Sequence, residues 1–404
     1  MPRADGALVR PALADLLFAP PAAARARLEQ LRERGLSGVT IALAGQWRVA
    51  PALRARIEAA ANDDERAQLR RLSAIAAAQS GLTVHRSRTV LGALRAADID
   101  AVAIKGVALI AQLYGNDAAA RMIADLDIVV RETDYRRAER VLEDAGFVSM
   151  SPEFERHVAS IAASMRLHNF ARTFEHDGFQ VDVHWRFGVQ PPAALGVEAV
   201  LAHAETIALR GTPVRVAAPL DAMLVTVHHA LRGYFTAQST LKDAADLAAW
   251  WTRAPERWDL TELIAAARES DLATSLFALW SIVAQRDPAH ACGAGVRALR
   301  AALPPSGVRE AGRLLQFFES QLRAGDYAPR TVEVYAFPEI WRRARARPRV
   351  AASGAAARPT TPRRPLHLRA AGFAGDLLRV AWQVCNVRRI PAYRAIAQAQ
   401  GRFH

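Results

Sequence analysis

Two aspartates separated by a single residue, Asp125 and Asp127, occur in the short apolar run DLDIVV. Side chains alternate between the two faces of a β-strand, so both carboxylates project on one side while Leu126 and Ile128 project on the other. Carboxylate oxygens are the ligands that a hard cation such as Mg²⁺ prefers in proteins. The pair therefore predicts a divalent-metal site at the mouth of a strand.

A third acid, Asp182, lies between two valines in the run FQVDVHW and alternates away from the apolar face of that strand. Three acids on one sheet face predict a two-metal site, in which one ion activates a hydroxyl and the other neutralises phosphates. We therefore assign catalysis and metal binding to Asp125, Asp127 and Asp182, with Mg²⁺ or Mn²⁺ as the ion. His184 shares the face of Asp182 and could orient that acid, contact an acceptor, or simply form ordinary hydrogen bonds.

Lysine is almost absent from the chain: of 53 basic residues only Lys105 and Lys242 are lysine. Lysine and arginine exchange readily where only positive charge is needed, but a planar guanidinium cannot replace a compact ammonium. The two lysines are therefore either required where they stand or accidental survivors of a compositional bias. For Lys242, the simpler interpretation is an ion pair with Asp246, four residues later on a helix.

Strands and helices that would position these residues follow from the spacing of apolar side chains. Helical spacing fills residues 1–95, and the run 99–104 followed by Lys-Gly and VALIAQLY predicts a strand, a turn and a helix. A second strand is predicted at 126–130 and a helix at about 134–145. Alternation on both sides of His-Asp-Gly within 166–187 predicts a β-hairpin.

Helical spacing returns after the hairpin, from about residue 221 to 319. The segments HHALRGYF and LKDAADLAAW predict two helices, in which polar residues interrupt an apolar periodicity. These polar positions are His228, Lys242, Asp243 and Asp246.

The composition, 51% hydrophobic and 23% charged with a net charge of +13, is that of a folded protein. No stretch reaches the roughly 18 apolar residues of a membrane helix, and the first twenty residues contain no export signal. The two cysteines, Cys292 and Cys385, predict neither a disulfide framework nor a zinc site, so we expect a cytoplasmic protein. Much of the excess charge lies at 342–369, which is either a solvated linker or a contact for a polyanion or acidic surface.

A family resemblance extends over about residues 85 to 250. The segment IKGVALIAQLYGNDAAARMIADLDIVV, the helix that ends in DAGF, and VDVHW together resemble a branch of bacterial nucleotidyltransferase-like proteins with a DNA-polymerase-beta-like fold. This resemblance implies an α+β fold, with a mixed sheet and helices flanked by N- and C-terminal helical regions. The expected domains are an N-terminal helical region (1–95), a nucleotidyltransferase catalytic domain (96–215), a helical domain (216–342), and a basic linker with C-terminal amphipathic helices (343–404).

The same resemblance implies a reaction and assigns residues to it. A nucleoside monophosphate would move from a nucleoside triphosphate, with ATP expected, to an unidentified small-molecule, peptide or protein acceptor, and pyrophosphate would be released. The three acids take the places of the metal ligands. Four residues are assigned to nucleotide binding: Lys105, Gly106, Arg121 and Lys242.

Two alternative functions remain beside this hypothesis. The family usually has serine after the turn glycine, whereas this chain has Val107, and the interval from Gly106 to Asp125 is longer than usual. Both departures favour a catalytically weak nucleotide-binding regulatory module. The basic stretch 342–369 favours an RNA-directed nucleotidyltransferase or toxin, although nucleic acid is the less favoured partner.

Overall fold

The computed structural model describes residues 3–150, 171–187, 195–232 and 237–324. These residues all belong to one packed unit. The basic stretch 342–369 and the C-terminal amphipathic helices lie outside the described residues, as does the start of the predicted hairpin segment. Within the described part of the chain, no helix has the length and apolar character needed to cross a bilayer.

Helices occupy the N-terminal part of the chain. The longest of them begins with a capping box, in which Asn62 Oδ1 accepts from the Glu65 amide and the Glu65 carboxylate accepts from the Asn62 amide, both at 2.9 Å. This arrangement satisfies amide groups that the first turn of a helix leaves unpaired. The N-terminal helices are α1 (Arg3–Phe18), α2 (Pro21–Glu33), α3 (Ser37–Gln46), α4 (Ala50–Ile57) and α5 (Asp63–Ala96).

Seven strands form one mixed sheet, so the α+β class expected from the sequence is confirmed. The strands are β1 (Val102–Ile104), β2 (Asp125–Val129), β3 (Val148–Ser149), β4 (Ala171–His176), β5 (Phe179–His184), β6 (Glu205–Leu209) and β7 (Thr212–Val216). Their order across the sheet is β3-β4-β5-β2-β1-β7-β6. β2 pairs antiparallel with β1 and parallel with β5, and β1 pairs parallel with β7.

Two tight turns close hairpins at the flanks of this sheet. Asp177 and Gly178, with φ of 49° and 74°, join β4 to β5 at the predicted position. Arg210 and Gly211, with φ of 47° and 82°, join β6 to β7 in the same way. Positive φ at both central residues matches the right-handed twist of the flanking strands. This second hairpin was not predicted, although ETIAL and TPVRV flank an Arg-Gly turn.

Helices lie on both faces of the sheet. α5 and α7 (Tyr135–Asp144) pack on the face that carries Ala103 and Ile128. The opposite face carries Val102 and Val129, whose side chains join the core of the helical bundle. The other helices are α6 (Lys105–Gln112), α8 (Val197–His203), α9 (Pro219–Arg232), α10 (Ala237–Arg253), α11 (Leu260–Glu269), α12 (Ala273–Ala284), α13 (Cys292–Ala302) and α14 (Pro305–Ala324).

Candidate active site

The parallel pairing of β2 with β5 brings the acids together. Asp127 lies opposite Asp182 and Val129 lies opposite His184, on the sheet face that the helical bundle covers. One ligand atom from each of Asp127, Asp182 and His184 lies within 4.8 Å of the other two. Asp125 stands two residues earlier on β2 and lines the same cleft. The donor set of carboxylates with one imidazole can therefore hold a divalent cation.

Asp127 is the most constrained of the three acids, since only 5% of its surface is exposed. Its Oδ1 accepts from Lys105 Nζ at 2.6 Å and from His184 Nε2 at 3.1 Å. Burial alone would raise the pKa of Asp127, but the Lys105 ammonium and the His184 hydrogen bond hold that pKa well below its usual range. The Asp127 carboxylate is therefore ionised at neutral pH.

His184 orients Asp127 rather than Asp182, which differs from one of the roles that the strand pattern suggests. A charged carboxylate only accepts hydrogen bonds, so His184 Nε2 donates to Asp127. Its Nδ1 is buried and has no partner among the described residues. Burial also lowers the pKa of His184, which favours the neutral ring. Asp182 instead accepts from Thr173 Oγ1 at 2.6 Å.

The junction of β1 and α6 positions Lys105. Lys105 is the first residue of α6 and has a φ of 52°, a left-handed conformation that costs a non-glycine residue about 1 kcal/mol or more. With the backbone in this conformation, the Lys105 ammonium contacts Asp127. Burial lowers the pKa of Lys105, but the charge of Asp127 outweighs it and the net shift is upward. The ammonium therefore stays charged beside the acids.

Gly106 borders the cleft, and its position leaves no room for a side chain. A Cβ there would lie 2.8 Å from Ile123 Cγ2 and 3.2 Å from Arg121 Nη1. The next residue, Val107, is fully buried in the core between the sheet and its helices. The position where the resembled family usually has serine therefore contributes no hydroxyl to the cleft.

Arg121 is engaged in a buried ion pair. Its Nε donates to Asp246 Oδ1 at 2.9 Å and its Nη2 donates to Asp246 Oδ2 at 2.7 Å, and both side chains are almost fully buried. Tyr114 Oη donates to the same carboxylate at 3.0 Å. The predicted phosphate ligand is thus already neutralised by an acid of α10, and it ties the segment before β2 to that helix.

Lys242 projects into the cleft from α10, one turn before Asp246. The ion pair with Asp246 that the sequence allows is not formed, because Asp246 is bound to Arg121. Among the described residues, the Lys242 ammonium has no hydrogen-bond or ion-pair partner. Burial and the Arg121 charge lower the pKa of Lys242. Both lysines of the chain therefore lie at one cleft, and one of them is unpaired.

Most of the residues that were predicted from the sequence to bind metal or nucleotide lie at one cleft. His184 lies beneath it, bonded to Asp127. The residues assigned from the sequence to metal or nucleotide binding that line it are Lys105, Gly106, Arg121, Asp125, Asp127, Asp182 and Lys242.

Among the lining residues that were not predicted from the sequence, two are ionisable. His229 lines the cleft and bonds to Asp243, whereas the preceding His228 is buried with its ring 6.3 Å from that of Phe187. Successive helix positions lie about 100° apart, so helical phase could have separated the two histidines. Arg48, between α3 and α4, also lines the cleft, and only tertiary packing brings it there.

One comparison with known proteins identifies a family for this chain. A family model described as "Uncharacterised nucleotidyltransferase" matches residues 39–286. The match begins in α3 and ends just beyond α12, so it includes the sheet, α9 and α10. No curated protein and no solved structure matches the chain.

Proposed function

Since this chain belongs to the family of uncharacterised nucleotidyltransferases, we propose that it transfers a nucleoside monophosphate from a nucleoside triphosphate to an acceptor in a magnesium-dependent reaction. ATP is the expected nucleotide, pyrophosphate is the leaving group, and the acceptor is a small molecule, a peptide or a protein. The observation that carries the proposal is the convergence of three acids and both lysines of the chain on one cleft. The polymerase-beta-like branch, the bacterial source and the cytoplasmic location stay predictions.

The acids of the sheet face fit a divalent cation. Asp125, Asp127 and Asp182 offer carboxylate oxygens, the ligand type of Mg²⁺ sites that also bind phosphates. Burial and the neighbouring Asp127 raise the pKa of Asp125. A bound cation would stabilise the ionised form of this carboxylate. A bound Mg²⁺ would neutralise phosphate oxygens and favour ionisation of the acceptor hydroxyl. His184 and Lys105 hold Asp127 in place for such a role.

The triphosphate would bind on the opposite side of the cleft. Among the described residues, the Lys242 ammonium has no hydrogen-bond or ion-pair partner there, whereas the Lys105 ammonium lies beside the acids and is bonded to Asp127. Gly106 lines the α6 side of the cleft, and its lack of a side chain allows Ile123 to lie close to its backbone. Arg121 acts indirectly in this proposal, since its ion pair with Asp246 holds the helix that carries Lys242.

The proposal is tested with purified full-length protein and ATP labelled at the α-phosphate. We expect pyrophosphate release that requires Mg²⁺ and stops on chelation, together with an added AMP mass on the true acceptor in mass spectra of acceptor mixtures. Nucleotide binding without any magnesium-dependent turnover would favour the regulatory module, which the burial of Val107 supports. The RNA-directed alternative depends on 342–369, outside the described residues, and salt-sensitive RNA binding would favour it.

The first prediction concerns the two lysines. Lys105→Arg and Lys242→Arg should each lower nucleotide affinity or turnover about tenfold, or about 1.4 kcal/mol, because a guanidinium cannot occupy the position of a compact ammonium. Calorimetric nucleotide binding and pyrophosphate release would be measured for both variants. Arg34→Lys, at an exposed position after α2, is the control and should be silent. If the cleft variants matched that control, the lysines would be accidental survivors.

A second prediction concerns Asp182. Asp182→Ala should reduce turnover at least tenfold more than it reduces nucleotide affinity, because the third acid positions the metal that activates the acceptor. Steady-state rates and calorimetric affinity would be compared in the same buffer. Thr173→Val removes the hydroxyl that bonds to Asp182 but keeps the carboxylate, and it should have a much smaller effect. An unchanged rate for Asp182→Ala would leave a two-acid site.

A further inference from the structure

We propose that His229, oriented by Asp243, is the catalytic base that takes the proton of the acceptor hydroxyl. The inference rests on the proposed nucleotidyl transfer and adds the group that activates the acceptor. It assigns α9 and α10, the helices that face the acidic sheet surface, a chemical role beyond nucleotide binding.

The geometry fixes which ring nitrogen is available. His229 Nδ1 lies 2.9 Å from Asp243 Oδ2, and the Asp243 side chain is buried. Because a carboxylate only accepts, Nδ1 donates, and the neutral ring carries its lone pair on Nε2. Nε2 has no hydrogen-bond partner among the described residues. The side chain is one-third exposed and lines the cleft.

Two other histidine–aspartate pairs lack the features that suit His229 to act as a base. His184 Nε2 is hydrogen-bonded to Asp127, and its Nδ1 is buried, so neither nitrogen can reach a substrate. His203 makes a similar contact with Asp221 at 3.2 Å, but it does not line the cleft. Of these three histidines, only His229 has a ring oriented by an aspartate, a ring nitrogen available to a substrate and a position in the cleft lining.

Two of the three acids across the cleft already accept hydrogen bonds from other groups. Asp127 is bound to Lys105 and His184, and Asp182 is bound to Thr173. Carboxylates that hold cations are poor proton acceptors, because the positive charge stabilises their ionised form. With a base on the facing helices, the acids can stay ionised, which is the form that would bind a metal ion.

The step balances as follows. The acceptor oxygen forms a bond to the α-phosphorus, and the bond from that phosphorus to the oxygen bridging to the β-phosphate breaks. Pyrophosphate leaves with the electron pair of the broken bond. The hydroxyl proton passes to His229 Nε2, and Asp243 stabilises the resulting imidazolium.

The test uses full-length protein with ATP and Mg²⁺, and water serves as the acceptor in hydrolysis to AMP and pyrophosphate. His229→Gln should lower the rate about 100-fold, a common contribution of a general base. Its affinity for α,β-methylene-ATP, measured by calorimetry, should stay within twofold of the wild type. Added imidazole should restore part of the rate of His229→Ala, because it can occupy the emptied space and take the proton.

Two comparisons separate a base from a merely structural histidine. His203→Gln breaks a similar pair outside the cleft and should keep the wild-type rate. Asp243→Asn should slow the reaction, and its combination with His229→Gln should be no slower than His229→Gln alone, because Asp243 acts through the ring.

The outcomes distinguish this inference from the proposed function. A near-normal rate in His229→Gln, or a loss of rate matched by a loss of nucleotide affinity, would overturn the base assignment. If Asp127→Asn still abolished turnover in that case, the nucleotidyl transfer itself would stand. Absence of magnesium-dependent turnover in the wild type would overturn both.

Discussion

Asp125→Asn and Asp127→Asn should each reduce magnesium-dependent nucleotide turnover at least 100-fold, yet they should have opposite effects on stability. Loss of activity is expected because an amide is a weak ligand for Mg²⁺ and leaves the phosphates without a neutralising ion. Turnover would be followed by pyrophosphate release, and stability by thermal melting. Asp177→Asn, at an exposed turn position that asparagine also tolerates, is the control and should change neither quantity.

The difference in stability follows from the surroundings of each acid. Burial and the charge of Asp127 raise the pKa of Asp125, so its charged form is disfavoured in the fold and a neutral amide should be tolerated or stabilising. Asp127 pairs with Lys105 and accepts from His184, so its loss leaves a largely buried ammonium unpaired. That loss should cost on the order of 3 kcal/mol. Normal turnover in either variant would remove that acid from the metal site.

A second large effect is expected at the ion pair of Arg121 with Asp246. Arg121→Met should lower the free energy of unfolding by about 3–5 kcal/mol, because it leaves the buried Asp246 carboxylate without its charge partner. The double variant Arg121→Met with Asp246→Leu should be more stable than the sum of the single changes implies, since it removes both buried charges. Urea denaturation monitored by circular dichroism would measure all three variants.

An exposed ion pair provides the control for this comparison. Arg186 pairs with Glu132 at 2.7 Å, and both side chains remain accessible to solvent. Arg186→Met should therefore cost at most about 1 kcal/mol. If Arg121→Met were equally mild but weakened nucleotide binding tenfold, Arg121 would be a direct phosphate ligand, as the sequence resemblance implies, and its contact with Asp246 would be incidental.

Local patterns of the sequence account for the parts of the fold that short-range geometry determines. The turn at Asp177 and Gly178 requires two residues that tolerate positive φ between alternating runs, and this signal lies within a few positions. Alternation also placed Asp125 with Asp127 on one face. The parallel register that sets Asp127 beside Asp182 joins residues far apart in the chain, so alternation within each strand could not show that they meet.

The helical wall of the cleft was harder to predict, for a physical reason. A polar residue in an apolar helix pattern can face a cavity, pair with a buried partner or cap a neighbouring helix, and periodicity does not distinguish these cases. Helical phase separates His228 from His229, but it does not show that His229 lines a cleft and bonds to Asp243. Arg48 presents the same difficulty, because its place at the cleft depends on how the N-terminal helices dock.

The long helix α5 has a consequence for any attempt to isolate the site in a smaller protein. Its 34 residues span roughly 50 Å, with Leu69 in the core of the helical bundle and Leu94 in the core behind the sheet. Midway along it, Ser80 Oγ donates to the Arg121 carbonyl at 2.9 Å and accepts from the Ile123 amide at 3.0 Å. A recombinant fragment that began after α5 would expose one sheet face to water and free the segment that carries Arg121. We expect such a fragment to aggregate, so a transplanted or minimised version of this site must retain the N-terminal helices.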